Sequence, residues 1–357
     1  MPRPMSSHED KSPKTTITTS AEGKGARLSV KLSVTPRTGQ QSLKEKYGVS
    51  KYDLGVGYPV PESLKSMIPT NVPDYVDEGE GYVERIMRAL YYFKQCALIG
   101  PSGTGKTHIV YLVAQIAGMP LWEINCGLQT SVYDMFGRFV GLGKDNWIDG
   151  TIVSWCRYGG ILYLDEANMM KQDIATRLSP ILDTRGHMVL NEKDNEVIPR
   201  HPHGYVVISM NPYSSEFSGT KPLNAAFRRR MSVWIDFDYL SVGTRISPRE
   251  VKMLSERAKV PLDVAEKVIR VGAEVRKRYK TGDLPYGPSV GDLLNWSTLI
   301  HDGLDPKAAA DETLVSLTSD DAEIQGIVRR IVSLVFGAGE SKPAEKPSQP
   351  VEKTEHP

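Results

Sequence analysis

Hydrophobic and polar residues between positions 75 and 240 follow two alternating periods. Stretches with apolar residues at helical spacing alternate with short runs of β-branched and other large apolar residues. The predicted elements are a helix over 82–93, a strand over 96–99, a helix over 106–117, strands over 121–124 and 160–164, a helix over 171–182, and strands over 205–209 and 233–237. Such alternation is typical of βαβ units and predicts an α/β fold, with a parallel sheet that carries helices on both faces.

The pattern changes near residue 248, after which only helical spacing remains. The predicted helices of this part cover 249–257, 261–279, 290–300, 308–317 and 322–336. They predict a small all-α domain. The predicted order of domains is an N-terminal extension at 41–74, the α/β domain at 75–240 and the helical domain at 241–338.

Both ends of the chain are poor in the large apolar side chains that a core needs. Residues 1–40 are rich in Lys, Thr, Ser and Gly, and residues 339–357 in Glu, Lys, Pro and Ser, so both are predicted to be disordered tails. Residues 27–34 alternate at the period of a strand, which leaves open that they pair with the edge of a sheet.

Composition adds limits on the kind of protein. Of 357 residues, 40% are hydrophobic, and 44 Lys and Arg nearly balance 43 Asp and Glu, which argues against an extended nucleic-acid surface. No apolar run approaches the ~20 residues of a membrane span, and the first residues lack the apolar core of a signal peptide. Cys96, Cys126 and Cys156 lie in or beside apolar runs and are interpreted as buried thiols. We therefore expect a soluble, cytoplasmic protein.

A glycine-rich segment between a predicted strand and the next helix fits G-x-x-x-x-G-K-[ST] at every fixed position. Its glycines let successive backbone N–H groups face a phosphate at the start of a helix. Lys106 places a positive charge on the β- and γ-phosphate oxygens, and the Thr107 hydroxyl suits Mg²⁺. The predicted nucleotide-binding residues are Gly100, Pro101, Ser102, Gly103, Thr104, Gly105, Lys106, Thr107 and His108, the last of which is interpreted as an ordinary helix residue rather than a ligand.

Two carboxylates follow the apolar strand predicted at 160–164. Asp165 is predicted to hold Mg²⁺ together with Thr107. Glu166 is predicted to orient and polarise the attacking water as a general base. An acidic residue at the end of a strand is common, so the interpretation depends on the glycine-rich segment about 60 residues upstream.

Asn211 follows the strand predicted at 205–209, and an amide there can hold the attacking water or contact the γ-phosphate. The alternative is that Asn211 and Pro212 only begin a turn. Arg228, Arg229 and Arg230 form a basic run before the last strand. A solvated run is the ordinary interpretation, and an arginine that reaches the γ-phosphate of a neighbouring subunit is the functional one.

The order of these features resembles that of AAA+ ATPases over about residues 75–336, and more narrowly that of the MoxR branch and its CbbQ/NirQ/NorQ-type activation ATPases. The narrower resemblance is carried by residues 131–138, 147–150, 163–167, 180–185 and 208–212. It implies a P-loop α/β domain with a helical lid, ATP and Mg²⁺ as cofactors, and hexameric rings. Asp165 and Glu166 take the Walker B positions, Asn211 sensor 1, and Arg229 and Arg230 the arginine-finger segment, in which Arg230 fits the family pattern better.

The same resemblance implies two inserted segments, and the sequence departs from the family pattern at one position. A hairpin that faces the pore or a partner is expected near 139–147, with a surface loop as the alternative, and a second hairpin over 187–203. His201 and His203 are interpreted as loop residues, not metal ligands. Gly291 stands where the lid of the family often carries a sensor-2 arginine, so either Arg276 or Arg278 reaches the nucleotide, or the lid couples to ATP differently.

Three functions follow as hypotheses. The first is an ATP-hydrolysing ring that remodels or activates a protein. For it, the resemblance implies a von Willebrand factor A-domain adaptor and an enzyme complex as the target. The second is a nucleic-acid motor or a restriction-type GTPase, which the charge balance disfavours. The third is an assembly module that binds ATP and barely hydrolyses it, against which the intact Glu166 argues.

Overall fold

The computed structural model of the protein describes residues 38–127, 129–141, 146–212 and 222–337. The strand considered at 27–34, most of the first predicted tail and the tail at 339–357 lie outside the described residues. Helix α1 (Thr38–Lys46) begins inside the region predicted to be a disordered tail. The prediction for 1–40 is therefore wrong for its last three residues.

A five-stranded parallel sheet forms the centre of the first part of the chain. Its order is β2-β5-β8-β1-β9, with β1 (Gln95–Ile99), β2 (Leu121–Asn125), β5 (Gly160–Asp165), β8 (Gly204–Met210) and β9 (Trp234–Asp236). All seven residues of β8 are buried, as expected for a strand covered on both faces. The α/β fold class predicted from the sequence is confirmed.

Successive residues of β1 point into different cores, which places helices on both faces of the sheet. Cys96 and Leu98 pack with α2 (Tyr82–Phe93) and α3 (Lys106–Ala117), whereas Ala97 lies in the opposite core. That second core is built from α4 (Val132–Phe136), α5 (Thr151–Tyr158), α6 (Gln172–Leu182) and α7 (Ala225–Arg228). Short 3₁₀ helices cover Glu62–Met67 and Ala167–Met169.

The segment before α2 belongs to the first core instead of lying beside it. Val49, Tyr52, Leu54 and Tyr58 are buried there, and α1 packs on α3. The N-terminal extension therefore covers part of the face that α2 and α3 form.

Two antiparallel hairpins extend from the second face. One pairs β3 (Gly137–Phe139) with β4 (Trp147–Asp149), and the other pairs β6 (His187–Leu190) with β7 (Glu196–Pro199). Both predicted hairpins are thus present, although the tip of the first lies outside the described residues. Arg157 of α5 joins them, because its guanidinium lies 2.8 Å from Asp149 and 2.7 Å from Glu196.

The rest of the described chain is helical and has its own apolar core. Its helices are α8 (Pro248–Ala258), α9 (Leu262–Lys280), α10 (Val290–His301), α11 (Pro306–Ala310), α12 (Ser316–Thr318) and α13 (Ala322–Phe336). The single helix predicted over 308–317 is wrong in detail, since a π-helical turn at Asp311–Val315 separates α11 from α12. A π turn has one more residue in each hydrogen-bonded ring than an α-helix has, so the side chains after the turn face a different direction from those before it.

All three cysteines are buried and free, as predicted. Burial raises the pKa of each thiol to about 12. Among the described residues, no helix combines the length and the apolar character that crossing a bilayer requires.

Candidate functional site

The carboxyl ends of three neighbouring strands bring the predicted residues to one edge of the sheet. The glycine-rich loop follows β1, Asp165 ends β5, and Asn211 follows β8, which lies between these two strands. The strands that precede Asp165 and Asn211 are paired neighbours in the sheet. Ligands of open α/β sheets bind at such an edge.

The loop adopts a conformation that requires glycine at two positions. Gly103 and Gly105 have φ of +75° and +84°, in the left-handed region that other residues rarely adopt. A Cβ at Gly103 would lie 2.5 Å from the Cβ of Ser289, and one at Gly105 would lie 2.9 Å from the ring of Tyr75. The glycines therefore allow both the tight turn and close contact with the helical domain.

Lys106 is buried and bound to the chain's own oxygens. Its ammonium donates to the carbonyls of Gly100 at 2.7 Å and Pro101 at 2.8 Å, and to Oδ1 of Asn211 at 3.2 Å. Burial lowers the pKa of Lys106 to about 8, against the attraction of Asp165 and Glu166. The loop is thus held around a partly desolvated positive charge.

Both oxygens of Asp165 accept hydrogen bonds from side chains behind the loop. Thr107 Oγ1 donates to Oδ2 at 3.3 Å, and Ser209 Oγ donates to Oδ1. Tyr163, two residues before Asp165 on β5, places its hydroxyl 3.1 Å from Thr107 and 3.0 Å from Ser209. Burial raises the pKa of the Tyr163 phenol far above its usual range, so the hydroxyl keeps its proton.

Glu166 leaves the sheet in the left-handed region, with φ of 49°. Its backbone N–H donates to Oδ1 of Asp165 at 3.0 Å, and its side chain is exposed towards the cavity at this edge. A non-glycine residue in this region stores strain, which concentrates at functional sites.

These groups line a cavity of about 460 Å³. Its walls come from the loop residues 102–108 with Asp165, Glu166 and Asn211, from residues 74–76, and from the helical domain. The helical residues include Met253, Arg276, Gly291 and Leu294. A cleft of this size between two domains is the usual form of a small-molecule site.

His108 connects the N-terminal extension to this cavity. Its ring stacks on Tyr75, with 6.2 Å between the centroids, and its Nε2 lies 2.8 Å from the carbonyl of Pro73. Burial lowers the pKa of His108, so the ring is favoured in its neutral form. It lines the cavity and also fixes the wall of residues 74–76.

Tyr239 joins the loop to the helical domain, and Arg276 supports it. The Tyr239 hydroxyl contacts the carbonyls of Ser102 at 2.8 Å and Gly287 at 3.3 Å. The guanidinium carbon of Arg276 lies 4.8 Å from the centre of the Tyr239 ring, and its Nε donates to the carbonyl of Pro288 at 2.8 Å. The loop and the helical domain therefore meet through side chains other than residue 291.

Of the two arginines considered in place of an arginine at Gly291, only Arg276 lines the cavity. It is fully buried and pairs with the buried Glu250 at 2.9 Å. Arg278 instead pairs with Glu274, one turn earlier on α9, at 3.0 Å.

The basic run at the end of α7 lies away from the cavity of this chain. Arg228 lies over the ring of Trp234 at 4.1 Å, and Arg230 contacts the carbonyl of Ala226 at 2.8 Å and Asp183 at 3.6 Å. Arg229 is exposed and makes no side-chain hydrogen bond or ion pair with the described part of the chain. Within the described residues, Arg228 and Arg230 thus have side-chain contacts that Arg229 lacks.

Sequence reasoning missed four tyrosine and serine positions of the site. Tyr75 and Tyr239 lie in irregular segments without periodicity, so no pattern could place them at the cavity. Tyr163 and Ser209 belong to buried strands. A polar side chain within an apolar run is the signal that could have identified them as residues of the site. His201 and His203 lie in a turn, and no metal-binding group of three or more His, Cys, Asp or Glu side chains occurs within the described ranges.

Comparison with known proteins covers both parts of the chain. Residues 95–231 match the family described as AAA domain (dynein-related subfamily), and residues 250–335 match the CbbQ/NirQ/NorQ C-terminal family. The denitrification regulatory protein NirQ of Pseudomonas aeruginosa is 30% identical over 261 residues, which are 72% of this chain and 96% of the relative. Protein CbbQ of Hydrogenophilus thermoluteolus is 31% identical over 242 residues, covering 67% and 86% of the two chains, and protein NorQ of Paracoccus denitrificans is 28% identical over 242 residues, covering the same shares.

Proposed function

Because the chain belongs to the CbbQ/NirQ/NorQ family of AAA+ ATPases, we propose that it hydrolyses ATP in order to remodel or activate a protein partner. The family implies nucleotide binding and ATPase activity in general. The observation that carries the proposal for this chain is that Lys106, Asp165 and Asn211 converge on one cavity behind a P-loop.

The proposed roles follow the geometry. The P-loop residues 100–107 hold the phosphates, and Lys106 exchanges its bonds to loop carbonyls for bonds to phosphate oxygens. Glu166 accepts the proton of the attacking water, and Asn211, already 3.2 Å from Lys106, positions that water or the γ-phosphate. His108 acts by fixing the cavity wall.

The oxygen donors present fit Mg²⁺, which in nucleotide sites takes one or two protein oxygens and completes its shell with phosphate and water. Thr107 Oγ1 and the Asp165 carboxylate supply such donors, 3.3 Å apart and at the cavity. When bound, the ion neutralises charge that develops on the phosphates. Thr107 and Asp165 would hold it.

We further propose that the protein works in the cytoplasm as a hexameric ring, the assembly that the resemblance implies, with Arg229 or Arg230 at the subunit interface. A von Willebrand factor A-domain adaptor and a target enzyme complex are its proposed partners. The domain limits 75–240 and 241–338 are part of the proposal, and the family matches at 95–231 and 250–335 fall within them.

Trapping the partner tests this function. The Glu166→Gln variant keeps the shape of the site and removes the base, so in ATP it is expected to retain a protein partner from an extract of the source cells. Mass spectrometry would identify the retained protein, and Lys106→Ala in the same buffer is the matched control. Equal recovery with both variants, or a nucleic acid in place of a protein, would contradict the proposal.

A further inference from the structure

Three hydroxyl groups and one carboxylate form a closed set of contacts behind the cavity. Tyr163 and Ser209 are fully buried inside the sheet, whereas Thr107 and Asp165 reach the cavity wall. The oxygen pairs in contact are Thr107–Asp165 at 3.3 Å, Thr107–Tyr163 at 3.1 Å, Tyr163–Ser209 at 3.0 Å, and Ser209–Asp165.

Counting protons shows that these four contacts cannot all be hydrogen bonds at once. Each hydroxyl carries one proton, and an ionised carboxylate only accepts. When the protons of Thr107 and Ser209 both go to Asp165, the single proton of Tyr163 is left for two acceptors. It points either at Thr107 Oγ1 or at Ser209 Oγ.

The two arrangements differ in what they leave free. With the Tyr163 proton on Thr107, a lone pair of Thr107 Oγ1 is occupied. With the proton on Ser209, that lone pair is available to a cation, and Ser209 receives a bond that strengthens its own donation to Asp165.

We propose that Tyr163 and Ser209 are positioning residues for the magnesium ion, and that the Tyr163 O–H turns from Thr107 to Ser209 when the ion takes the Thr107 oxygen. The inference rests on the proposed function, since it concerns the same nucleotide site. Neither residue touches nucleotide or metal. With the ion bound they act through the Asp165 carboxylate, which Ser209 holds and Tyr163 supports through Ser209 in the orientation that binds the ion.

The test measures how much Mg²⁺ the full-length protein needs to bind a fluorescent ATP analogue. Tyr163→Phe keeps the buried ring and removes the hydroxyl, so half-maximal magnesium-dependent binding is expected to need about tenfold more Mg²⁺, as expected for the loss of a hydrogen bond that supports a charged group. Binding of the analogue in a chelator is expected to be unchanged. Ser209→Ala is expected to shift the requirement likewise.

Two comparisons make the result specific. Tyr205→Phe is the matched control, because Tyr205 is buried on β8 and its hydroxyl donates to the carbonyl of Leu54 at 3.1 Å, outside the cavity. The Tyr163→Phe/Ser209→Ala double variant is expected to shift the magnesium requirement no further than the larger single change, because both residues act through one carboxylate.

A Tyr163→Phe variant with the magnesium requirement of Tyr205→Phe would overturn the inference and leave the proposed function intact. Additive effects in the double variant would overturn the route through Ser209. Wild-type protein that binds no analogue at any Mg²⁺ concentration would overturn both proposals. If Tyr163→Phe fails to fold, as thermal unfolding without nucleotide would reveal, Ser209→Ala gives the same decision.

Discussion

At the scale of single residues, the ammonium of Lys106 already has the partners that a phosphate would replace. It donates to two loop carbonyls and to Asn211, so these contacts fix the loop around the charge. The charge is costly to bury, as the pKa of Lys106 at about 8 indicates. A triphosphate that enters the loop offers a stronger, charged acceptor in exchange.

Lys106→Ala is expected to raise the dissociation constant for ATP by about a hundredfold or more. Charge-assisted hydrogen bonds are worth about 1.5–3 kcal/mol each, and about 1.4 kcal/mol corresponds to a factor of ten. Calorimetric titration measures the change. Lys65→Ala, which removes an ammonium paired with Glu62 outside the cavity, is the control. Micromolar affinity in Lys106→Ala would refute the assignment of the loop.

Glu166→Gln is expected to bind ATP with nearly unchanged affinity and to lower steady-state phosphate release by about 10²–10⁴-fold, the usual contribution of a general base. Glu123→Gln is a matched control, because Glu123 lies on the neighbouring part of the same sheet, pairs with Tyr111 and does not line the cavity. Normal turnover in Glu166→Gln would exclude Glu166 as the base.

At the scale of elements, strong periodicity decided what the sequence could predict. The bounds of α2, α3 and α13 agree with prediction to the residue. Helices α2 and α13 have a clear apolar stripe, α3 is apolar and buried over most of its length, and each of the three is followed by a left-handed or glycine residue. Helices α1, α4 and α5 were missed, the last of them only eight residues long. Short elements owe their stability to packing, which local sequence does not record.

The candidate site likewise contains residues that the sequence could predict and residues that it could not. The P-loop, Asp165 and Asn211 follow predicted strands, so topology alone brings them together. The Tyr239 contact with Ser102 and Gly287 joins residues 137 and 48 positions apart, and no spacing rule reaches that far. Family membership predicted from the motifs is confirmed by the matches over both parts of the chain.

The buried pair between α8 and α9 gives a test at this scale. Arg276→Met is expected to lower the free energy of unfolding by about 3–5 kcal/mol, because it leaves Glu250 buried without its partner. Replacing both, as Arg276→Met/Glu250→Leu, is expected to recover most of the loss. Denaturation in urea, followed by circular dichroism, measures both values.

Arg278→Met serves as the control for the buried pair, because Arg278 pairs with Glu274 at the surface and its loss is expected to cost less than about 1 kcal/mol. A double variant as unstable as Arg276→Met alone would show that the cost arises from lost packing and not from an unpaired carboxylate.

At the scale of the whole molecule, Arg229 and Arg230 are predicted catalytic groups that this chain does not bring to its own cavity. Family resemblance favours Arg230, whereas the structure engages Arg230 with Asp183 and leaves Arg229 exposed. The proposed ring would supply one of them to the site of a neighbour, which makes hydrolysis a property of the assembly.

Mixing two inactive proteins tests this arrangement. The Arg229→Ala/Arg230→Ala double variant is expected to lose hydrolysis by about 10³-fold or more. Adding Glu166→Gln subunits is expected to restore part of the phosphate release, because they supply intact arginines to intact catalytic sites. The two single variants then assign the arginine, and Arg228→Ala is the control. Absence of any recovery would mean that neither arginine acts between subunits.

The Arg157 guanidinium has a mechanical consequence. It pairs with a carboxylate from each inserted hairpin. It lies on α5, which is followed directly by β5, the strand that ends at Asp165. Neither hairpin can be pulled away without breaking one of these pairs or dragging α5 with it. A displacement of either hairpin is therefore connected to the acidic end of β5 through one short stretch of backbone.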